Sequence, residues 1–229
     1  MHIIIYSRLA SKRFKNKAKI FLVNNKTLIE HVIDQARKIL PKRKIILATT
    51  KKKEDDYLCN IAKKKNINFF RGSENNVLKR TIDCCKQYNI KYFLRYCGDR
   101  PIIDILKIKK IIKNFKKYDQ YDLVSTNNQK EKIDQGLTIE IINSEVLIKI
   151  PKIKLDRKDN EHITNYLYKN YKNYRTYKIS FLKIFKKQYK YTIDYKKDLK
   201  IVNYLIKNFE EVRFKDIVKL YEIAKKKHN

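Results

Sequence analysis

His2-Ile3-Ile4-Ile5-Tyr6-Ser7-Arg8-Leu9-Ala10-Ser11-Lys12-Arg13-Phe14-Lys15-Asn16-Lys17 joins two unlike pieces of chain. Ile3 to Tyr6 is a short β-rich apolar run and reads as a buried strand. Ser7 to Lys17 is a polar loop carrying Arg8, Ser11, Arg13 and Lys17. A guanidinium binds phosphate through two parallel hydrogen bonds, and an ammonium binds it as a point charge. Backbone N–H groups of such a loop can add a nest for an anion. The bland alternative is an ordinary basic loop in a lysine-rich protein, and spacing alone leaves both open.

Working outward, strands and helices alternate. Thr27 is placed to cap a helix, with Glu30 completing a capping box. Leu28, Val32, Ile33, Ala36, Ile39 and Leu40 form its apolar stripe, and Pro41 stops it. Ile45 to Ala48 is a second strand, a helix opens at Asp55, and Ile67 to Phe70 is a third strand. A helix over about Asn76–Tyr88, a strand over Tyr92–Tyr96, a helix over about Leu106–Lys117 and a strand over Leu123–Ser125 follow. This rhythm predicts an α/β fold, a three-layer Rossmann-like sandwich with a mostly parallel sheet between helices. Past Asn127 it changes: Leu137 to Ile142 alternates like a half-covered strand, and 144–180 mixes short elements. Helices are expected over Leu199–Asn208 and Lys215–Lys226. No repeat or linker is visible, so 1–229 reads as one domain, with about 125–180 as a subregion for dimerisation or for the second substrate.

The net charge of +32 invites a nucleic-acid reading. The cations are mostly lysine, 45 against 11 arginines, and are spread over the whole length. Lys, Ile, Asn and Tyr are together what A/T-rich codons encode, so composition bias accounts for the charge without a function. Cys59, Cys84, Cys85 and Cys97 form no C-x-x-C pair and no zinc spacing. They read as free thiols in a reducing cytosol. The opening apolar run is too short for a signal sequence or a membrane span. The expectation is a cytoplasmic protein with no nucleic-acid or membrane partner.

Open parallel sheets bind ligands at the carboxyl ends of their strands. The fourth strand ends in Tyr96-Cys97-Gly98-Asp99-Arg100-Pro101, where Gly98 permits a turn or a close approach. Asp99 is placed to hold a divalent cation, or simply to cap the next helix. Asp194, in Thr192-Ile193-Asp194, is a second acidic candidate, and taken alone it reads as an N-cap.

The ordered set resembles a known family, the cytidylyltransferases that make CMP-activated sugars, closest to the spore-coat polysaccharide type and related to the CMP-KDO and CMP-acylneuraminate synthetases. Arg8, Ser11, Arg13 and Lys17 meet its opening motif. Leu28 to Ile33 is similar to its first helix. Ala48-Thr49-Thr50 with Glu54-Asp55-Asp56 resembles its second strand end. Phe70-Arg71-Gly72-Ser73-Glu74 with Val77-Leu78 and Arg80 resembles its third-strand segment. Gly98-Asp99 with Pro101 resembles its metal-binding turn, and Gly136-Leu137 with Glu140 its sugar-side strand. Glu161-His162 with Thr164 resembles its next short helix, and Thr192 with Asp194, Asp198 and Leu199 its late metal-binding segment. The pattern is departed from at Ala10, where Gly is usual, at Lys15-Asn16, where Pro-Gly is usual, and at Thr138, where Asp is usual.

The resemblance implies transfer of CMP from CTP to a sugar or sugar-acid hydroxyl with release of pyrophosphate. It implies Mg²⁺ on Asp99 and Asp194, with Lys17, Arg13 and Asp99 in catalytic roles. Arg8, Ser11, Arg13, Lys17, Thr49 and Gly98 would bind the nucleotide. Arg71, Arg80, Gly136 and Glu140 would bind the second substrate, although a structural ion pair is an equal reading for the two arginines. His162 reads as packing or hydrogen bonding, and Cys97 as filler. A homodimer is expected by family analogy. The rival readings are a nucleotidyltransferase for another nucleoside triphosphate and a basic nucleic-acid-binding protein.

Overall fold

The computed structural model describes residues 1–127, 136–150, 155–179, 189–208 and 214–228. The strands are β1 (His2–Tyr6), β2 (Ile45–Thr50), β3 (Asn68–Gly72), β4 (Tyr92–Cys97), β5 (Leu123–Ser125), β6 (Glu140–Asn143) and β7 (Thr176–Lys178). They form one sheet in the order β3-β2-β1-β4-β6-β5-β7. β1 runs parallel to β2 and β4, and β2 runs parallel to β3. β6 runs antiparallel to β4 and β5, and β7 is parallel to β5.

The chain thus starts in the middle, builds outward through β2 and β3, then returns to the other side of β1 with β4. The strand order reverses at β1 and β4, and open sheets of this kind bind ligands at the carboxyl ends of such strands.

Helices cover both faces. α1 (Leu28–Arg37), α2 (Asp56–Lys64) and α4 (Ile105–Lys113) pack on the face that carries Ile3, Ile5 and Leu94. α3 (Val77–Gln87), α5 (Ser144–Lys149) and α7 (Asn165–Lys169) pack on the face that carries Ile4, Ile46 and Phe93. The central strands are buried on both sides, so Ile3, Ile4 and Ile5 are all fully enclosed. Each such side chain contributes about 1.5–3 kcal/mol by leaving water. α6 (Arg157–Glu161) precedes α7, and α8 (Asp198–Asn208) and α9 (Phe214–His228) end the described chain. Leu205 and Ile217 of these last helices join Ile102, Leu137 and Tyr191 in a smaller cluster.

Local chemistry sets the element ends. Thr27 and Glu30 make the expected capping box, with Thr27 N–H donating to Glu30 Oε2 at 3.0 Å. Asn76 caps α3 by accepting from Lys79 N–H at 2.7 Å. Two elements differ from expectation. The helix expected to Lys117 stops at Lys113, and Phe115–Lys117 is a separate 3₁₀ turn. The strand expected from Leu137 begins at Glu140, and all four of its residues are buried because helices cover the sheet on both sides. The 144–180 region does mix short helices with a strand, while residues 151–154 and 180 lie outside the described residues.

Candidate active site

The loop after β1 is folded back on itself. Leu9 carbonyl accepts from Ser11 N–H at 2.8 Å and from Asn16 N–H at 3.0 Å. Asn16 has φ 60°. That left-handed conformation favours Gly but is open to Asn, so the departure at this position keeps the turn. Asp55, buried under the loop, accepts Leu9 N–H at 2.8 Å and Thr50 N–H at 3.2 Å, and also takes the Thr50 hydroxyl. The cationic loop is therefore anchored to the end of β2.

β4 ends against β1. Gly98 N–H donates to Tyr6 carbonyl at 2.8 Å. A Cβ at Gly98 would lie 2.9 Å from that oxygen and from Ser7 Cβ, so only Gly fits without moving backbone. Asp99 follows, and its carbonyl accepts Ile193 N–H at 3.0 Å, which ties the 189–194 stretch to the same turn.

Three distant segments meet here. Lys17 Nζ donates to Asp99 Oδ2 at 2.8 Å, to Ile193 carbonyl at 2.9 Å and to Asp194 Oδ1 at 3.3 Å. Arg13 Nη2 donates to the same Asp194 oxygen at 2.7 Å. Lys190 Nζ stands 3.4 Å from Asp194 Oδ2. Lys17 and Asp194 are mostly enclosed, with side chains 13% and 9% exposed, and Asp99 keeps 25%. Burial alone would raise the Asp194 carboxyl, but Lys17, Arg13 and Lys190 outweigh it and hold it below the ordinary value. Asp194 caps no helix: Asp198, at the start of α8, accepts the N–H groups of Asp194 and Tyr195 at 2.8 Å each. Nor does Asp99 cap α4, where Asp104 takes Lys107 N–H at 2.9 Å.

Two carboxylates facing one ammonium offer a hard, oxygen-only donor set. Mg²⁺ is usually held by one or two carboxylates with substrate phosphates completing its shell. Among the described residues no three His, Cys, Asp or Glu side chains gather as a self-sufficient metal cage. Mg²⁺ on this pair would take its remaining ligands from phosphate and water.

Arg8 and Arg80 meet on the loop after β3. Arg8 Nη1 and Arg80 Nη2 both donate to Glu74 carbonyl, at 3.1 and 3.3 Å, and Arg80 Nε donates to Ser73 carbonyl at 2.9 Å. Arg80 is almost fully enclosed. Burial and the neighbouring Arg8 both lower its pKa. Arg71 is differently engaged, on Thr50 and Lys52 carbonyls and on Asp56, at 3.0, 2.7 and 2.5 Å. Three of its five N–H donors are engaged there, and its side chain stays 29% exposed.

Thr49 and Gly136 make no direct contact with the carboxylates, although Gly136 packs against Thr192, whose hydroxyl donates to Asp194 Oδ2 at 3.2 Å. Thr49 is fully buried, and its hydroxyl has no hydrogen-bond partner among the described residues. Gly136, at φ 104°, packs on the backbone of Tyr191. Ser11 lies in the folded loop, with no hydroxyl contact to the carboxylates.

Glu140 is not open to a ligand. Its carboxylate accepts Arg95 Nη1 at 2.6 Å, Thr164 hydroxyl at 2.9 Å and Tyr168 hydroxyl at 2.8 Å, and its side chain is 3% exposed. Burial pushes its pKa up, but Arg95 and Arg100 outweigh it and hold it low. Arg95 escaped the sequence reading. The available signal was a charge inside an otherwise buried strand. His31 was also missed as a support: its Nε2 lies 2.9 Å from Pro101 carbonyl and its Nδ1 2.9 Å from Asn24 Nδ2. With the proton on Nε2 the neutral ring satisfies both contacts and fastens α1 to the turn that carries Asp99.

Known proteins resemble this chain in sequence and in fold. A cytidylyltransferase family model matches residues 2–226. An uncharacterised protein of Methanocaldococcus jannaschii is 34% identical over 167 residues, 73% of this chain and 66% of its own length, just under two thirds. The spore coat polysaccharide biosynthesis protein SpsF of Bacillus subtilis is 28% identical over 168 residues, 72% of this chain and 68% of its own. A cytidylyltransferase from Leptospira borgpetersenii serovar Hardjo-bovis superposes with a TM-score of 0.84 at 25% identity, covering 99% of this chain and 94% of that one. A CMP:2-keto-3-deoxy-manno-octonic acid synthetase, solved with CTP, shares the fold at a TM-score of 0.65 and 13% identity, over 90% of this chain and 98% of that one. The fold is the Rossmann-like one of nucleotide-sugar transferases, and the chain belongs to the cytidylyltransferase family.

Proposed function

We propose that this protein transfers CMP from CTP to the hydroxyl of a sugar or sugar acid, releasing pyrophosphate, in the synthesis of a surface polysaccharide or other glycan. The observation that carries the reading is the meeting of Asp99 and Asp194 on Lys17, with Arg13 on the same carboxylate. Phosphoryl-type transfer is mostly a matter of positioning and of neutralising charge. In this reading an acceptor oxygen bonds to the α-phosphorus, the bond to the β-phosphate oxygen breaks, and the hydroxyl proton is released.

Mg²⁺ held by Asp99 and Asp194 would offset charge on the triphosphate. Lys17 and Arg13 would meet the β- and γ-phosphates and the departing pyrophosphate. Arg8 and Arg80, which have no carboxylate partner among the described residues, would add positive potential along the third-strand loop. Asp194, held ionised, serves as an anion rather than as a base. A second copy is proposed to pair through the region about 125–180, and the working compartment to be the cytoplasm. No described helix is long and apolar enough to cross a membrane.

The test is a thermal-shift comparison of CTP, UTP, GTP and ATP, each with Mg²⁺. A ligand that binds only the folded state raises Tm by mass action. CTP is expected to give the largest rise. A larger rise with another nucleotide would transfer the reading to that base, and no rise with any would end it.

A further inference from the structure

A lysine ammonium has three protons to donate. On Lys17 all three have acceptors inside the protein: Asp99 Oδ2 at 2.8 Å, Ile193 carbonyl at 2.9 Å and Asp194 Oδ1 at 3.3 Å. The ammonium can reach a phosphate only by giving up one of these bonds. Asp194 is equally engaged. Its Oδ1 also accepts Arg13 Nη2 at 2.7 Å, and its Oδ2 accepts the Thr192 hydroxyl at 3.2 Å, with Lys190 Nζ 3.4 Å away.

The charges of this set balance. Lys190 also pairs with Asp198 at 2.7 Å, so Lys17, Arg13 and Lys190 face Asp99, Asp194 and Asp198, three cations on three carboxylates. A divalent cation arriving alone would leave the set with an excess of positive charge. It would also have to break charge-assisted hydrogen bonds on both of its carboxylate ligands. A triphosphate changes both conditions. Its negative charge offsets the added cation, and its oxygens give a displaced ammonium new acceptors. The three cations are not equally placed. Arg13 is 58% exposed, with its guanidinium 6.0 Å over the ring of Tyr195, and Lys190 is tied to Asp198. Among the described residues only Lys17 bridges Asp99 and Asp194.

We infer that Lys17 is a resident counter-cation: its ammonium holds Asp99 and Asp194 until a triphosphate draws it away, so a divalent cation binds there only together with nucleotide. Lys17 and the metal ion exchange places on the carboxylates, and Arg13 is the outer member of the same lock. By linkage, whatever factor the triphosphate adds to metal affinity, the metal adds to triphosphate affinity. The inference rests on the metal assignment in the transferase reading above and adds an order of binding to it.

The probe is Mn²⁺, which takes the same oxygen ligands and loses its free-ion EPR signal on binding. It is titrated into nucleotide-free protein. Lys17→Met leaves both carboxylates without their shared cation, so its Mn²⁺ Kd should be about tenfold or more tighter than that of wild type. Lys79→Met is the charge control: it too removes one cation and strands one carboxylate, Asp83, on the surface of α3. Its Kd should match wild type. Equal affinity in wild type and Lys17→Met, or equal tightening in Lys79→Met, overturns the inference. Adding Asp99→Asn to Lys17→Met should abolish the gain, and a gain that persists places the metal elsewhere and overturns it too. Should Lys17→Met fail to fold, Arg13→Gln replaces it, with a tightening of about threefold expected and none overturning the lock. The reciprocal measurement is calorimetric binding of CTP in EDTA. Asp99→Asn loosens the ammonium, so metal-free CTP should bind more tightly than to wild type, and unchanged or weaker binding overturns the exchange. A wild type whose Tm does not rise with CTP and Mg²⁺ would instead count against the transferase reading, whereas the Mn²⁺ titration uses no nucleotide.

Discussion

Asp99 and Asp194 are separated by most of the second half of the chain, yet both accept from one ammonium. Removing the charge of either should expose what that arrangement is for. Asp99→Asn keeps the size and one acceptor oxygen, so the fold is expected to survive. Turnover in CTP-dependent pyrophosphate release is expected to fall by at least about 100-fold, the scale of losing a transition-state electrostatic contact. Near-normal turnover would remove Asp99 from the metal assignment. Lys17→Met should act differently. It leaves two carboxylates without their shared cation and takes one positive charge from the triphosphate's path, so kcat/KM for CTP should drop with the fold kept, and Tm should fall as well because Asp194 is left enclosed with less compensation. An unaltered kcat/KM would take Lys17 out of the site. Arg71 belongs to another class. Three of its donors hold Thr50, Lys52 and Asp56, so its replacement should lower Tm by loosening the chain between β2 and α2.

At the scale of elements, the site exists because the end of β4 closes on the end of β1. Gly98 allows that approach, since any Cβ there would meet Tyr6 carbonyl and Ser7 Cβ at 2.9 Å. Both obstacles belong to a central strand and the start of its loop, and neither is the tip of a flexible side chain. Gly98→Ala is expected to cost about 1–3 kcal/mol in a urea melt and to lower turnover by shifting Asp99. A melt and a turnover indistinguishable from wild type would mean that the two strand ends are not held as described. The same elements show what a reader of the chain can and cannot see. Runs such as Ile3-Ile4-Ile5 and Ile45-Ile46-Leu47 announce central strands, because burial on both faces leaves no room for polar residues. The Thr27–Glu30 box and the Asn76 cap are local chemistry, visible within four residues. β7 is three exposed residues, Thr176-Tyr177-Lys178, whose place depends on β5 and on no pattern of its own. The Arg95–Glu140 pair was equally hidden. Glu140 stood out as a candidate, but its partner follows only from the antiparallel register of β4 and β6. Gathering Arg13, Lys17, Asp99 and Asp194 required knowing the order in which strands lie side by side.

The whole molecule carries 56 basic and 24 acidic side chains, so its charged groups mostly repel and its few carboxylates are heavily used. That imbalance sets the response to acid. His2 is pushed down to about 4 from an ordinary 6.5, by burial and then by Lys44 and the chain's own amino terminus. His31 and His162 are also lowered, chiefly by burial. A base with a lowered folded value binds fewer protons folded than unfolded. Its contribution is intact above about 6.5 and is lost as pH falls through the folded value. Glu140 and Asp194, held low by their cations against burial, follow at more acid pH. A lowered carboxyl likewise favours the folded state above its unfolded value and ceases to do so below its folded one. Asp104, raised by burial, works the other way, but it is one group against several. Tm should therefore decline from pH 7 to pH 4, first through the histidine range and then through the carboxylates, and His31→Gln should flatten the first part. Each carboxylate neutralised also adds to an already large positive excess, and added salt screens that repulsion. Raising NaCl should consequently lift Tm more at pH 4.5 than at pH 7.5. A salt effect of equal size at both values would mean that the acid loss comes from individual buried groups alone and not from the charge of the molecule as a whole.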